Sequence, residues 1–340
     1  MTTPAEAAHR RARIGLLQVC AAGVLWGTGG LVVTVLHDRD GFGAMTVSAW
    51  RMALAAVALV GFAVATRRSG VVLATLRAHP VLAGVVGVGT ALYQALYFGS
   101  VLLVGVSVST VVSLGLAPVL AAVWEHAVAR SRPSPREVGV LAAALTGLVL
   151  ISATAGHGSP APGGRPGLGI ALAVASGATY AATTLLGHAL AQRVDPVALT
   201  TCATAAGTLA LLPWLGIALA AGEPVRTADP ASLALLAYLG VATMALAYGL
   251  LYAGLRTTSG SAATVATLVE PLSAALLAAL LLGERLTAPA LLGGALILAA
   301  VVALQPAGQD RAAPATAQPD PAQPDPAQPD PAQPDPAAGR

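Results

Sequence analysis

Four ionisable groups stand inside long apolar runs of this 340-residue chain: Arg51, Glu125, His126 and Glu270, with His188 near the end of another run. Charge in such surroundings is expensive, so each is a candidate for function by default. Glu270 sits about twelve residues into its run, about 18 Å along a helix at 1.5 Å per residue. A carboxyl at that depth could carry a proton or face a cationic substrate. It could equally be an acid hydrogen-bonded to a neighbouring helix beside the break at Pro271. Arg51 lies roughly 10 Å from the nearer end of its run. Its long stem either snorkels outward or turns a planar fork inward, towards a carboxylate or towards Glu270. Glu125 and His126 sit about one turn from the end of theirs, where they suit a gate, a proton relay or an interfacial pair. His188 reads as interfacial.

The aromatic residues form a set. Tyr93 and Tyr97, and again Tyr248 and Tyr252, are spaced i, i+4, so each pair shares one helix face. Trp26 and Tyr180 fall near the middle of their runs, and Gln94 adds a polar group beside Tyr93. Trp26, Tyr93, Gln94, Tyr97, Tyr180, Tyr248 and Tyr252 are therefore expected to line a central cavity; the bland alternative is ordinary packing. Trp50, Trp124 and Trp214, near run ends, suit an interfacial belt. Cys20 and Cys202 are both inside apolar runs, and no His, Cys or acidic cluster has metal-ligand spacing, so neither a metal nor a cofactor is expected. There is no Gly-x-x-x-x-Gly-Lys-Ser/Thr loop, no His-Glu-x-x-His and no pair of in-run aspartates. No catalytic residues are assigned, and the chain reads as a non-enzyme.

The elements that must position these groups follow from composition. Hydrophobic residues make up 56% of the chain and charged residues 10%, against about 25% charged in soluble domains. The mean hydropathy is +0.75. A lipid-facing surface accounts for this. Ten runs are long enough to span a bilayer, near Ile14–Leu36, Ala44–Thr66, Pro80–Leu103, Gly105–Ala129, Val138–Ala155, Gly167–Leu190, Val197–Ala220, Ala231–Leu255, Ser259–Leu282 and Ala288–Leu304. Turn chemistry separates them at His37–Gly41, Arg132–Pro135, Ser159–Gly164 and Gly222–Pro224. The first run follows Arg10, Arg11 and Arg13 but lacks a small-residue cleavage site, and is expected to be retained. All 18 basic side chains are Arg. With the N-terminus inside, eleven arginines fall in inside segments and four in outside loops (Arg39, Arg165, Arg226, Arg285). That bias predicts a multi-pass plasma-membrane protein with both termini cytoplasmic. Arginines scattered among the gaps give no basic face for nucleic acid. Gln-Pro-Asp-Pro-Ala occurs four times between Gln318 and Ala337, a stretch that cannot pack and reads as an extended cytoplasmic tail.

The chain also repeats itself. Gly15, Gly23 and Trp26 match Gly169, Gly177 and Tyr180 at an offset of 154; Tyr93 and Tyr97 match Tyr248 and Tyr252 at 155. Pro118 matches Pro271, and Arg132 matches Arg285, at 153. Pro118 and Pro271 are expected to kink equivalent helices, a pointer to a binding site in repeat-built transporters. Five spans per copy is odd, so the second copy must enter the membrane upside down. The predicted fold is an all-α integral membrane protein of ten transmembrane helices in two inverted five-helix repeats. Residues 1–13 form the N-terminus, 14–155 and 167–304 the repeats, and 305–340 the tail.

The run Gly260–Thr287, with Glu270-Pro271 inside it and Gly283-Glu284-Arg285-Leu286-Thr287 at its end, resembles the ninth helix and following turn of EamA-like members of the drug/metabolite transporter superfamily. Ala44–Met52 and Ser107–Ala122 resemble the family's second and fourth helices more loosely, and Ser131-Arg132-Pro133-Ser134 replaces the Gly-Glu-Arg-Leu-Thr turn there. The resemblance covers about residues 14–304. It implies a ten-helix exporter of a small metabolite or drug, often proton-coupled, with the bilayer and a small-molecule substrate as partners. A lipid-linked sugar flippase, or a membrane enzyme or scaffold on the same bundle, stands as the alternative. The oligomeric state stays open, a homodimer included.

Overall fold

A computed structural model describes residues 4–104, 106–154, 165–282 and 287–304. The expectations placed on residues 1–3, Gly105, Ala155, the turn at Ser159–Gly164, Gly283 to Leu286 and residues 305–340 lie outside them. In lipid every backbone N–H and C=O must be paired within the protein, so apolar runs fold as helices. They are α1 (Pro4–Asp40), α2 (Ala44–Ala65), α3 (Ser69–Ala78), α4 (Pro80–Val104), α5 (Val106–Ala129), α6 (Pro135–Thr154), α7 (Pro166–Ala191) and α8 (Pro196–Ala220). Next come α9 (Pro230–Gly240), a π-helical stretch Val241–Leu246 continuing into α10 (Ala247–Gly254), α11 (Gly260–Ala266), α12 (Val269–Leu282) and α13 (Ala288–Ala303). Among the described residues nine helical stretches are long and apolar enough to cross a membrane; α13, at the expected tenth span, is apolar but has 16 residues.

Local chemistry sets the starts. Proline opens α6, α7, α8 and α9, where its missing N–H is no loss. Asp195 caps α8 through Val197 N at 3.0 Å and Ala198 N at 3.2 Å. Ser134 and Glu137 exchange backbone hydrogen bonds of 2.6 and 3.2 Å in a capping box before α6.

Three departures from the sequence reading have physical causes. First, the turn expected from His37 contracts to Gly41–Gly43: α1 runs on to Asp40, Gly41 takes φ +71°, and His37 Nδ1 meets the Phe42 carbonyl at 3.0 Å. Second, α3 lies between two of the expected runs. At ten residues it is too short to span; Val72 and Thr75 turn inward, and Cys202 Sγ lies 3.8 Å from the Val72 carbonyl oxygen on which it donates. Third, the ninth run is two helices. Pro271 has no N–H for the Thr267 carbonyl, and Glu270 N takes that acceptor at 2.9 Å. Its counterpart Pro118 stays inside an unbroken α5.

The two halves trade helices. α1 packs on α10 and α12 of the second half, while α7 packs on α4 and α5 of the first; α2 meets α8, and α6 meets α13. Glycines permit the close approaches. A Cβ at Gly23 would stand 3.3 Å from the Thr267 carbonyl oxygen, and one at Gly177 2.6 Å from that of Ser113. Each member of the first contact is 154 residues from its counterpart in the second. Likewise Gly15 abuts Gly254 and Thr257, and Gly169 abuts Leu103 and Val104. Gly87 on Ala203 of α8 mirrors Gly240 on Arg51 of α2, an equivalence the sequence comparison had missed. Two exchanged bundles result: α1 with α9 to α12, and α7 with α4 and α5.

The π-helical stretch explains the drifting repeat offset. Gly87 and Gly240 are 153 residues apart, Tyr93 and Tyr248 155. The two additional residues fall in Val241–Leu246, where wider hydrogen-bonded loops absorb them; α4 is α-helical at the equivalent place.

The ends of the molecule are defined by hydrogen bonds. At one, Thr257 Oγ1 donates to the Arg11 carbonyl at 3.2 Å, Gln192 Nε2 to the Leu255 carbonyl at 2.7 Å, and Arg68 pairs with Asp195 at 3.6 Å. At the other, Arg39 meets Asp229 at 2.9 Å, Thr227 donates to Asp40 at 2.7 Å, and Trp50 Nε1 donates to the Val225 carbonyl at 2.7 Å.

The glycine contacts predict that Gly177→Leu lowers unfolding stability in detergent by about 1–3 kcal/mol. Gly61→Ala, with nothing within 4 Å of the new methyl, leaves it unchanged. Asp229 gives a pH test. The Ser232 N–H, then the Ser232 hydroxyl and Arg39, hold its carboxyl below the ordinary aspartate value. Its folded pKa is depressed, so its contribution is present above the unfolded value of about 4 and is lost as pH falls through the folded one. Asp229→Ala should therefore melt earlier than the parent at neutral pH, with the gap closing in acid.

Candidate functional site

Two of the trading helices bring matching rings to the middle of the molecule. Trp26 of α1 lies against Tyr248 of α10, ring centroids 5.0 Å apart; Tyr180 of α7 lies against Tyr93 of α4 at 5.2 Å. These are the same contact in the two halves. The two pairs join where the Tyr93 and Tyr248 hydroxyls meet at 2.8 Å, a bond between repeat-equivalent residues. Tyr252 extends the cluster, 6.1 Å from Tyr248. Its ring is admitted by Gly187, where a Cβ would stand 2.8 Å from Tyr252 Cε1. Tyr97 departs from the set: its hydroxyl bonds Thr110 Oγ1 of α5 at 2.8 Å and its ring meets Phe98.

Every buried hydroxyl or indole here needs a partner. Tyr180 OH reaches Thr267 Oγ1 at 3.1 Å, in the break between α11 and α12. Trp26 Nε1 donates to the Thr243 carbonyl at 2.9 Å, within the π-helical stretch. Both irregularities of the second half are thus tied to rings of the cluster. A small recess borders it, lined by Met52, Thr90, Thr200, Met244, Tyr248 and Tyr252 among others.

Three polar groups face this region with unused capacity. Gln94 donates to the Thr90 carbonyl at 3.2 Å, but its Oε1 is buried with no partner. Arg51 Nε is buried with none. Glu270 follows the α11–α12 break; its carboxylate makes no hydrogen bond or ion pair among the described residues. Arg51 and Glu270 make no ion pair with each other.

Glu125 and His126 diverge. The Glu125 carboxylate accepts from Ser261 N at 3.1 Å and from the Ser261 hydroxyl, across to α11. His126 turns to the α5–α6 connection, meeting Ser131 Oγ at 2.9 Å and Glu137 of α6 at 3.7 Å. Trp124 and Trp214 are exposed, 59% and 40%, as belt residues would be.

The comparisons with known proteins agree with this architecture. A model described as the EamA-like transporter family matches residues 13–153 and again 167–304. The chain belongs to the EamA-like transporter family. It is a multi-pass membrane protein of that family with many apolar helices. It is similar to the "Uncharacterized transporter YwfM" of Bacillus subtilis (strain 168), 29% identical over 187 residues, 55% of this chain. The match spans 60% of that relative's length. A solved protein structure superposes with a TM-score of 0.70 over 85% of this chain and 95% of its own, at 19% identity, which speaks for the fold alone.

Sequence reasoning missed the hydroxyl and carbonyl partners in this EamA-like transporter: Thr110, Thr243, Ser261 and Thr267. One signal was available. Thr267 lies four residues before Pro271, so its carbonyl had to lose its helical donor. The hydroxyl bridge gives the test. Unfolding in detergent across Tyr93→Phe, Tyr248→Phe and the double variant should show a coupling of about 1 kcal/mol.

Proposed function

We propose that this chain is a secondary transporter working by alternating access, an exporter of a small organic metabolite or drug, with Glu270 as its ionisable switch. The observation that carries the reading is the ring cluster. Repeat-equivalent pairs from two exchanged bundles meet at the Tyr93–Tyr248 hydroxyl bridge, which either bundle can release by rocking. Inverted repeats supply the two equivalent arrangements such rocking needs. Inversion is supported by the turn at Leu255–Thr257, which receives the start of α1 through Arg11 and the end of α7 through Gln192. Equivalent helices therefore run in opposite senses. The ten-span count takes α13 as the last span. The arginine-rich end is the cytoplasmic one by charge bias, which puts both termini on the cytoplasmic side of the plasma membrane. Residues 14–155 and 167–304 are the two repeat units, followed by the tail.

Trp26, Tyr93, Gln94, Tyr180, Tyr248 and Tyr252 line the substrate path in this reading. Tyr97 stands at its edge, and Arg51 and Glu270 supply charge. An unpaired carboxylate at this depth can take up and release a proton without breaking a structural contact, as a coupling group must. Outward direction follows the family resemblance. To test the reading, metabolites exported by cells with and without the protein are compared, and the solute so identified is assayed in proteoliposomes. An imposed pH gradient should drive its accumulation by the wild type. Glu270→Gln should lose that accumulation yet keep downhill exchange of solute. Unchanged gradient-driven transport would remove Glu270 from the role.

A further inference from the structure

The polar ties between the two exchanged bundles are unevenly placed. Two lie at the centre, Tyr93 to Tyr248 and Tyr180 to Thr267. Two more lie at the arginine-rich end: Gln192 of α7 to the Leu255 carbonyl after α10, and Glu125 of α5 to Ser261 of α11. The ties described at the opposite end stay outside this seam. They join α1 and α2 to the segment before α9, through Arg39 and Asp229, Asp40 and Thr227, and Trp50 and Val225. Among the described residues, the hydrogen-bonded ties across the bundles thus lie at the centre and at the arginine-rich end.

The Glu125 tie is built for close contact. Both carboxylate oxygens are used, one by Ser261 N–H and the other by the Ser261 hydroxyl. Gly260 leaves the room: a Cβ there would stand 3.1 Å from Glu125 Oε1 and 2.8 Å from Leu185 of α7. The tie also has no counterpart in the repeat. At the offset of 153 to 154 residues, Ser261 corresponds to Ser107, but Glu125 corresponds to Ala278. The chain carries the carboxylate half of the pair at one end only.

A perfectly repeated scaffold would hold its two one-end-closed forms at equal energy, so any bias must come from residues the repeat does not share. We propose that Glu125 and Ser261 form a latch that holds the arginine-rich end shut at rest and must part for that end to open. This rests on the alternating-access reading and adds to it which end is favoured and what holds it.

Hydrogen–deuterium exchange on the full chain in nanodiscs tests the latch without a substrate. Opening one end must close the other, so the change must be reciprocal. In Glu125→Ala, exchange in residues 185–192 and 260–266 should rise about fivefold, while exchange in 28–36 and 95–104 falls. Ser261→Ala keeps the backbone N–H and should show the same signs at smaller size, which covers the case of a poorly folding Glu125 variant. A rise confined to the arginine-rich end, a rise at both ends, or no change would each overturn the proposal. Any of these with Glu270-dependent transport intact would leave the transporter reading standing and remove the latch alone.

Discussion

Close backbone approach between helices of different halves is the constraint on which the rest of the structure depends. Helices in lipid gain nothing by hiding apolar side chains from water, because the surrounding tails are equally apolar. They associate through packing and interhelical hydrogen bonds. Here the packing is made by glycine. Gly23 against Thr267 and Gly177 against Ser113 bring α1 onto the α11–α12 break and α7 onto α5. A side chain at either position would push the helices apart and carry the rings with them. The ring contacts at 5.0 and 5.2 Å, and the hydroxyl bridge between them, exist because these seams are tight.

The scaffold is repeated while the chemistry is not. Glycines, rings and prolines recur at offsets of 153 to 155 residues, but Glu270 faces Ala117 in the repeat and Glu125 faces Ala278. The second half is also the irregular one, with a π-helical stretch before Tyr248 and a break before Glu270. Each irregularity frees backbone groups that a regular helix would use internally. Trp26 takes one of the carbonyls in the π stretch, and Tyr180 bonds the side chain at the break. These departures are occupied by partners from α1 and α7, so they are fixed features of the site.

The apolar helices were legible in the sequence because hydropathy and length are direct consequences of the bilayer. Most boundaries fell within a few residues of those observed, since Pro166, Pro196 and Pro230 mark helix starts chemically. The short α3 was not legible: ten residues carry too little periodicity, and its burial depends on α8. The π-helical stretch had left a trace, the slip of two residues between the glycine and tyrosine matches, but a slip alone does not say where the surplus is housed. The trade of helices between halves left none, because a glycine's position in the chain does not say which helix it will meet. Five of the six aromatic residues do converge. Tyr97 shares a helix face with Tyr93, yet that face borders two neighbours, and Thr110 of α5 offers its hydroxyl a nearer partner.

Asymmetry on a repeated frame has a mechanical consequence. If the bundles exchange positions about the Tyr93–Tyr248 bridge, everything shared by the two halves contributes equally before and after. It therefore cancels from the difference between the two end states. Only unshared groups can set that difference or let a ligand or proton change it, since a conformational equilibrium responds to differential interactions alone. In this chain the unshared polar groups near the seam include Glu125, Arg51 and Glu270. Glu125 is engaged by Ser261, whereas Arg51 keeps a buried Nε without a partner and Glu270 a carboxylate with no hydrogen bond among the described residues. An engaged group can hold a state and an unengaged one can respond to what arrives. On the alternating-access reading, the repeat-related rings between them present a like surface to either side.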